Sequence, residues 1–365
     1  MLIGVPGEIK DGERRVAMTP SGVAALTGRG HRVLVASLAG AGVGFGDAMY
    51  QAAGATVTGD VAAVFAAELV VKFKEVQPAE FSMLRPDSIV FCYQHLAADA
   101  VLLDAMLAAR VHSLAYEMVT SADGELPLLA PMSKIAGCLA IQVGMWALRM
   151  ENGGSGVLLS GIEGVPPGKI VILGAGNSGA SAARIALGIG ADTTVIARTR
   201  RRLDAIESSY RGRVRTLVAE QAAIDEHVRG ADLVVGAVLT PGRLSPKLLS
   251  RRIVASMRPG SVIVDIGIDQ GGIAETSRPT SHSAPLYREE GVLHYCVPNM
   301  PSACARTATL ALTQATLPYI EAIADHGLAE AMRRDPGLGK GLLTSKGHIV
   351  NSDLAADTGR VAQHA

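Results

Sequence analysis

The stretch 170-IVILGAGNSGASAARIA-186 decides the fold. A short apolar run leads straight into glycines at 174, 176 and 179, and these into an Ala-rich helical pattern. A lone GxGxxG is a weak signal, but one that ends a strand and opens a helix has the context of a dinucleotide-binding turn. Gly174 permits the tight turn, Gly176 lets the backbone approach a pyrophosphate, and Gly179 permits close helix–strand packing. The helix N-terminus then offers free N–H groups and a positive dipole end to the phosphate. An ordinary strand-to-helix turn with three convenient glycines is the plainer alternative.

Downstream lies 193-TTVIARTRRRLDA-205. The second strand of such a unit normally ends in an Asp or Glu that accepts hydrogen bonds from the ribose of NAD. Here it ends in Ala197, followed by Arg198 and Thr199. Removing the acid removes repulsion against a 2′-phosphate, and an Arg fork suits that phosphate. Ala197, Arg198, Thr199 and Arg202 are therefore candidate NADP(H) contacts, with NAD(H) still possible. Arg200, Arg201 and Arg202 open the next helix and cannot all face one phosphate. Alternatively, the whole cluster is a solvated face.

A chain of 365 residues suggests two domains. Hydrophobic residues make up 48% and charged ones 19%, which argues against long disorder. Zero formal net charge points to neither nucleic acid nor an anionic membrane. Cys92, Cys138, Cys296 and Cys304 lack metal-ligand spacing, so we expect no metal and reduced thiols in a cytoplasmic protein. The start, MLIGVPGEI, reads as a strand rather than a signal peptide, and no apolar run is long enough to span a bilayer.

Apolar runs alternate with helical patterns throughout. Strands are expected at 2–5, 32–36, 69–73, 88–92, 112–116, 170–173, 193–197, 232–236 and 262–266. Thr19-Pro20 signals a helix start, ending at Gly28 or Gly30. Residues 131–150 read as a helix linking two domains, 304–327 as another, and 334–342 as a polar loop. The fold class is α/β: two Rossmann-like, doubly wound parallel sheets.

Several reactive groups follow strands, where α/β enzymes place their chemistry. Lys74 follows 69–73, His95 follows 88–93, Asp269 follows 262–268, and Arg15 lies in the loop after the first strand. Together they suit oxidation of an amino acid. Arg clamps a carboxylate, Lys polarises a carbonyl or imine, and His or Asp exchanges protons. Singly, each has a plainer reading: Lys74 could be solvated and Asp269 could cap a helix.

Over nearly its whole length the chain resembles the alanine dehydrogenase family, which includes the N-terminal part of the transhydrogenase α subunit. The resemblance runs through 4-GVPGEIKDGERRVAMTP-20, 72-KFKEVQPAE-80, 95-HLAAD-99, 127-PLLAPMSKIAG-137, 173-LGAGNSGASAARIA-186, 236-GAVLTPG-242, 264-VDIGIDQGG-272, 295-YCVPNMPSA-303 and 339-GKGLLTSKGH-348. It implies a discontinuous substrate domain, 1–128 plus 305–365, a dinucleotide domain at 129–304, and an active site in the cleft between them. It implies a homohexamer. It also implies substrate binding by Arg15 and Lys74, proton transfer by His95 and Asp269, and cofactor contacts at Ser133, Val238, Leu239, Ile266 and Asn299.

Four departures stand near these positions. Ala197 replaces the ribose acid; the family's usual MSEVAGR reads MSKIAGC, with Lys134 and Cys138; Gln94 precedes His95; and Pro298 precedes Asn299. The expected reaction is reversible: L-alanine, NAD(P)+ and water give pyruvate, ammonia and NAD(P)H. A reductase of the same fold acting on another imine or oxo acid, and a non-catalytic nucleotide-binding protein, are the alternatives.

Overall fold

The computed structural model describes residues 1–238 and 244–363. The chain divides into two compact units, Met1–Met132 with Cys304–Ala365, and Ser133–Ala303. The division falls within the helix Ala130–Ala147.

In the first unit the chain lays down β1 (Leu2–Val5), β2 (Arg32–Ala36), β3 (Thr56–Thr58), β4 (Leu69–Val71), β5 (Ile89–Cys92) and β6 (His112–Ala115). These runs are rich in Val, Ile and Leu, and β4 and β5 are buried along their whole length, as strands covered on both faces must be. Thr19 caps the first helix by accepting from the Gly22 N–H, with Pro20 in its first turn, and Gly30 turns the chain away at φ +87.

The second unit contributes β7 (Lys169–Leu173), β8 (Asp192–Ala197), β9 (Arg215–Val218), β10 (Leu233–Gly236), β11 (Val262–Asp265), β12 (Leu286–Glu289) and β13 (Val292–Tyr295). The chain then returns to the first unit through the helix Ala305–His326 and adds β14 (Leu342–Ser345) and β15 (His348–Ile349).

The two sheets run β15-β14-β6-β5-β4-β1-β2-β3 and β12-β13-β11-β10-β7-β8-β9. Pairing is parallel except at one edge of each, where β14, β15 and β12 are antiparallel. In each sheet the winding reverses once, between β1 and β4 and between β7 and β10. Ligands in such sheets bind beyond the carboxyl ends of the strands at that reversal. Val171, Leu173, Ile196, Val234 and Ile263 bury one face of the second sheet beneath Ile224, Val228 and Ile253. Each such side chain adds roughly 1.5–3 kcal/mol on burial.

The C-terminal segment corrects the sequence reading. Instead of a polar loop at 334–342, Asp335 caps a short helix, Pro336–Gly339, by accepting from the Gly337 and Leu338 N–H groups. β14 then pairs with β6 across a register shift, with Thr344 Oγ1 donating to Ser113 Oγ at 2.8 Å. Two buried hydroxyls meet there, which lets Thr344 sit in an interior strand directly after that stretch.

Candidate active site

In the first unit, the segments that follow β1, β4 and β5 carry Arg15, Lys74 and His95. The three strands are neighbours in the sheet, so their carboxyl ends bring these segments to one edge. Arg15 is 1% exposed. Its guanidinium lies 4.0 Å over the Phe73 ring centroid, and Nη1 is 3.6 Å from Met132 Sδ. Nε donates to Glu13 Oε1 at 2.6 Å and Nη2 to Glu13 Oε2, a fork-on-fork pair. Burial pushes the Glu13 carboxyl up, but the hydrogen bonds and charge of Arg15 outweigh it and hold the group below the usual range.

Lys74 is buried and its Nζ lies 3.4 Å from His95 Nε2. It also stands 3.5 Å from Glu75, whose other oxygen pairs with Lys10. Burial raises the Glu75 carboxyl, but Lys74 and Lys10 bring it down to about 2. The His95 ring is half exposed and stacked on Tyr93. Its backbone is left-handed, φ +51, and is held there by Glu117, which accepts from the His95 N–H at 2.7 Å and from the Gln94 N–H at 3.0 Å. Burial and Lys74 lower the His95 pKa and Glu117 opposes them; the net direction is down, favouring the neutral ring. Beneath this edge, Lys72 is fully buried between Glu80 at 2.9 Å and Glu8 at 3.3 Å.

In the second unit the glycine turn sits at the winding reversal. Gly174 has φ +114, and a Cβ there would meet the Ala237 carbonyl at 2.4 Å. A Cβ on Gly179 would meet the Gly174 carbonyl at 1.9 Å. Gly176 is the N-cap of the helix Asn177–Gly188 and supplies no capping side chain, so the first-turn N–H groups are left to a ligand. Val238 follows β10, whose carboxyl end adjoins that of β7, and Ile266 follows β11, on the far side of β10 from β7. Ser133 lies in the helix Ala130–Ala147, and a Cβ on Gly137 in that helix would meet the Ser178 carbonyl at 2.0 Å, so this helix packs against the start of Asn177–Gly188. Leu239 lies outside the described residues. These features fit a dinucleotide: a close, glycine-lined backbone approach at a helix N-terminus.

The arginines separate by position. Arg200 is bound to Asp204 at 2.7 Å and Glu207 at 3.3 Å on its own helix. A Cβ on Gly176 would lie 3.3 Å from Arg202 Nη1, so Arg202 reaches over the glycine turn. Ala197 is buried at the end of β8, whereas Arg198 and Thr199 are exposed. Thr199 is the N-cap of Arg200–Tyr210, its hydroxyl makes no capping bond, and the first turn holds no acid.

Asp269 is exposed after β11 and accepts from the Asn299 N–H at 3.4 Å; Asn299 is left-handed, φ +53. Asp265, at the end of β11, accepts from the Ile273 N–H at 2.7 Å and from Ser277 Oγ at 2.6 Å, closing the loop that carries Asp269. Burial raises the Asp265 pKa against these bonds. Cys138 Sγ accepts from Arg184 Nη2 at 3.3 Å, and Lys134 is exposed.

Glu13, Glu75 and Glu117 did not emerge from the sequence reading. Glu117 follows β6, so the strand-end rule applied once more would have found it. Glu75 adjoins Lys74 and Glu13 lies two residues before Arg15, but nearness in sequence alone does not identify a partner. A groove of about 330 Å³ lined by Gly7, Glu8, Glu13, Arg15, Ser37 and Leu38 touches Arg15 but not Lys74 or His95, so it is not centred on these groups.

Comparison with known proteins follows the same division. The family described as alanine dehydrogenase/PNT, N-terminal domain, matches residues 4–136, and alanine dehydrogenase/PNT, C-terminal domain, matches 140–352. Alanine dehydrogenase of Halomonas elongata is 47% identical over 356 residues, covering 97% of this chain and 96% of the relative. That of Mycobacterium tuberculosis is 47% identical over 360 residues, 98% and 97% of the two chains. Among solved structures, an L-alanine dehydrogenase superposes with TM-score 0.96 at 44% identity, over 98% of this chain and 99% of that one. A transhydrogenase from Sinorhizobium meliloti shares the fold, with TM-score 0.82 at 24% identity over 97% and 100% of the two chains.

Proposed function

The chain belongs to the alanine dehydrogenase/PNT family, and from that premise we propose an oxidoreductase that interconverts L-alanine with pyruvate and ammonia, preferring NADP(H). The observation that carries the chemistry is the sheet edge whose strand ends carry buried Arg15 and Lys74, with Lys74 Nζ 3.4 Å from His95 Nε2. Arg15 binds the substrate carboxylate, and Lys74 polarises the carbonyl or imine carbon. His95, kept neutral, accepts a proton from water as it adds to the imine and returns one to the departing amine. Asp269 is the second proton-transfer group. Ser133, Gly174, Gly176, Gly179, Val238, Leu239, Ile266 and Asn299 would hold the nicotinamide dinucleotide, which supplies the hydride acceptor when bound.

The cofactor preference rests on Ala197 with Arg198, supported by the unspent Thr199 hydroxyl and by Arg202 over Gly176. A 2′-phosphate would meet cations, a hydroxyl and a helix N-terminus without a facing acid. We further propose a cytoplasmic homohexamer, on family resemblance; light scattering would test the assembly.

The test is oxidation of NADPH with ammonia against a panel of 2-oxo acids, pyruvate first. Turnover with pyruvate above every other acid supports the reading. Turnover confined to another oxo acid would replace it with a reductase of different substrate, which Gln94 beside His95 keeps in view.

A further inference from the structure

Arg15 reaches the site already spoken for. Two of its N–H groups, on Nε and Nη2, go to the two oxygens of Glu13, a carboxylate only two residues away and itself buried. Phe73 and Met132 pack against the guanidinium. The Glu13 carboxylate also accepts from the Arg15 backbone N–H at 3.0 Å, so one acid fixes both the main chain and the head group of the same residue.

A planar guanidinium binds a carboxylate well only when its fork is aimed, and a long Arg side chain has several torsions to order. Glu13 does that ordering before substrate arrives. It also offsets the buried positive charge of the guanidinium. Because Glu13 takes the Nε edge, a substrate carboxylate must approach from the Nη side, the side of the Met132 sulfur.

We propose that Glu13 is the positioning residue for the substrate carboxylate, locking the Arg15 fork by its Nε edge and directing substrate to the Nη side. The proposal rests on Arg15 being the carboxylate clamp. A built-in competitor is the opposite role for the same contact: Glu13 would then have to leave before substrate bound.

Steady-state kinetics of Glu13→Gln, Glu13→Asp and Arg15→Ala separate these. Gln keeps the shape but not the charge, and should raise the KM for pyruvate roughly tenfold, the scale of a lost charge-assisted pair. kcat should stay within about threefold, and the KM for NADPH unchanged, since orientation of a binding group acts on substrate affinity. Asp keeps the charge on a shorter stem and should fall between Gln and wild type. A merely structural role would lower kcat and the melting temperature without this KM-selective pattern. A pyruvate KM within twofold of wild type in Glu13→Gln, while Arg15→Ala raises it strongly, overturns the proposal and leaves the Arg15 reading standing. A lowered KM in Glu13→Gln shows competition and also overturns it. An unchanged KM in Arg15→Ala overturns the underlying reading itself. Should Glu13→Gln fail to fold, Glu13→Asp carries the test: a pyruvate KM at least threefold above wild type supports the proposal, and an unchanged one overturns it.

Discussion

Restoring an acid at the end of β8 should reverse the cofactor preference. Ala197 is the last residue of that strand, paired with Val218 and buried, while the next residues are exposed. An Asp there would face a 2′-phosphate. Two unit charges about 4 Å apart repel by roughly 4 kcal/mol at a surface-like dielectric near 20, and by about 1 kcal/mol in bulk water. The partly open position lies between these limits, so Ala197→Asp should weaken NADPH binding by about 1–3 kcal/mol, roughly 5- to 150-fold. NADH should bind as well or better, because the acid accepts from its ribose hydroxyls. Arg198→Ala removes attraction instead, and we expect a loss near tenfold for NADPH and little for NADH. Fluorescence titration of both cofactors with both variants supplies the four constants. Repeating Arg198→Ala at high salt adds a check, since the screening length falls from about 10 Å at 0.1 M to about 3 Å at 1 M and the effect should shrink. An NADPH-to-NADH affinity ratio that stays within twofold of wild type in Ala197→Asp would refute the placement of the phosphate at β8. Equal affinities in the unmodified chain would refute the preference.

Other expectations concern the two units separately. His95→Asn and Asp269→Asn should each lower kcat by roughly 10²- to 10⁴-fold, with cofactor affinity retained; a loss under fivefold would remove that residue from proton transfer. Because the His95 pKa is lowered, the limb of the pH–rate profile that reports it should fall below 6.5, and a limb above that value would contradict the neutral ring. Gly179→Ala drives a methyl to 1.9 Å from the Gly174 carbonyl, so the melting temperature should drop and NADPH affinity with it; wild-type behaviour would mean the turn has slack. The Glu75 carboxyl is depressed to about 2, so its share of stability is present above pH 4.5 and lost as pH falls towards 2; Glu75→Gln should flatten urea midpoints over that range.

Much of the fold was legible because β4, β5, β7, β10 and β11 are short, nearly unbroken apolar runs, the mark of parallel strands buried on both faces. The edge strands were not. Thr56–Thr58 is three residues long, Arg215–Val218 is only half buried, and Leu286–Glu289 carries Arg and Glu. Each is a strand only because a neighbour offers its free edge. In the candidate site, Arg15, Lys74 and His95 were found because strand ends are visible in sequence. The carboxylates Glu13 and Glu117 were not, because a partner is a fact of geometry. The antiparallel pairing of β14 with β6 depends on Thr344 meeting Ser113, which are 231 positions apart.

That long separation has a consequence for how the chain is made. The strand that flanks β6 is synthesised only after every strand of the second unit. During synthesis the second unit can close on itself, while the first waits with one side of β6 unpaired. A bare strand edge recruits other strands. Nascent or C-terminally clipped chains should therefore be the aggregation-prone species of this protein, with the hazard confined to one sheet and removed when residues 342–349 arrive.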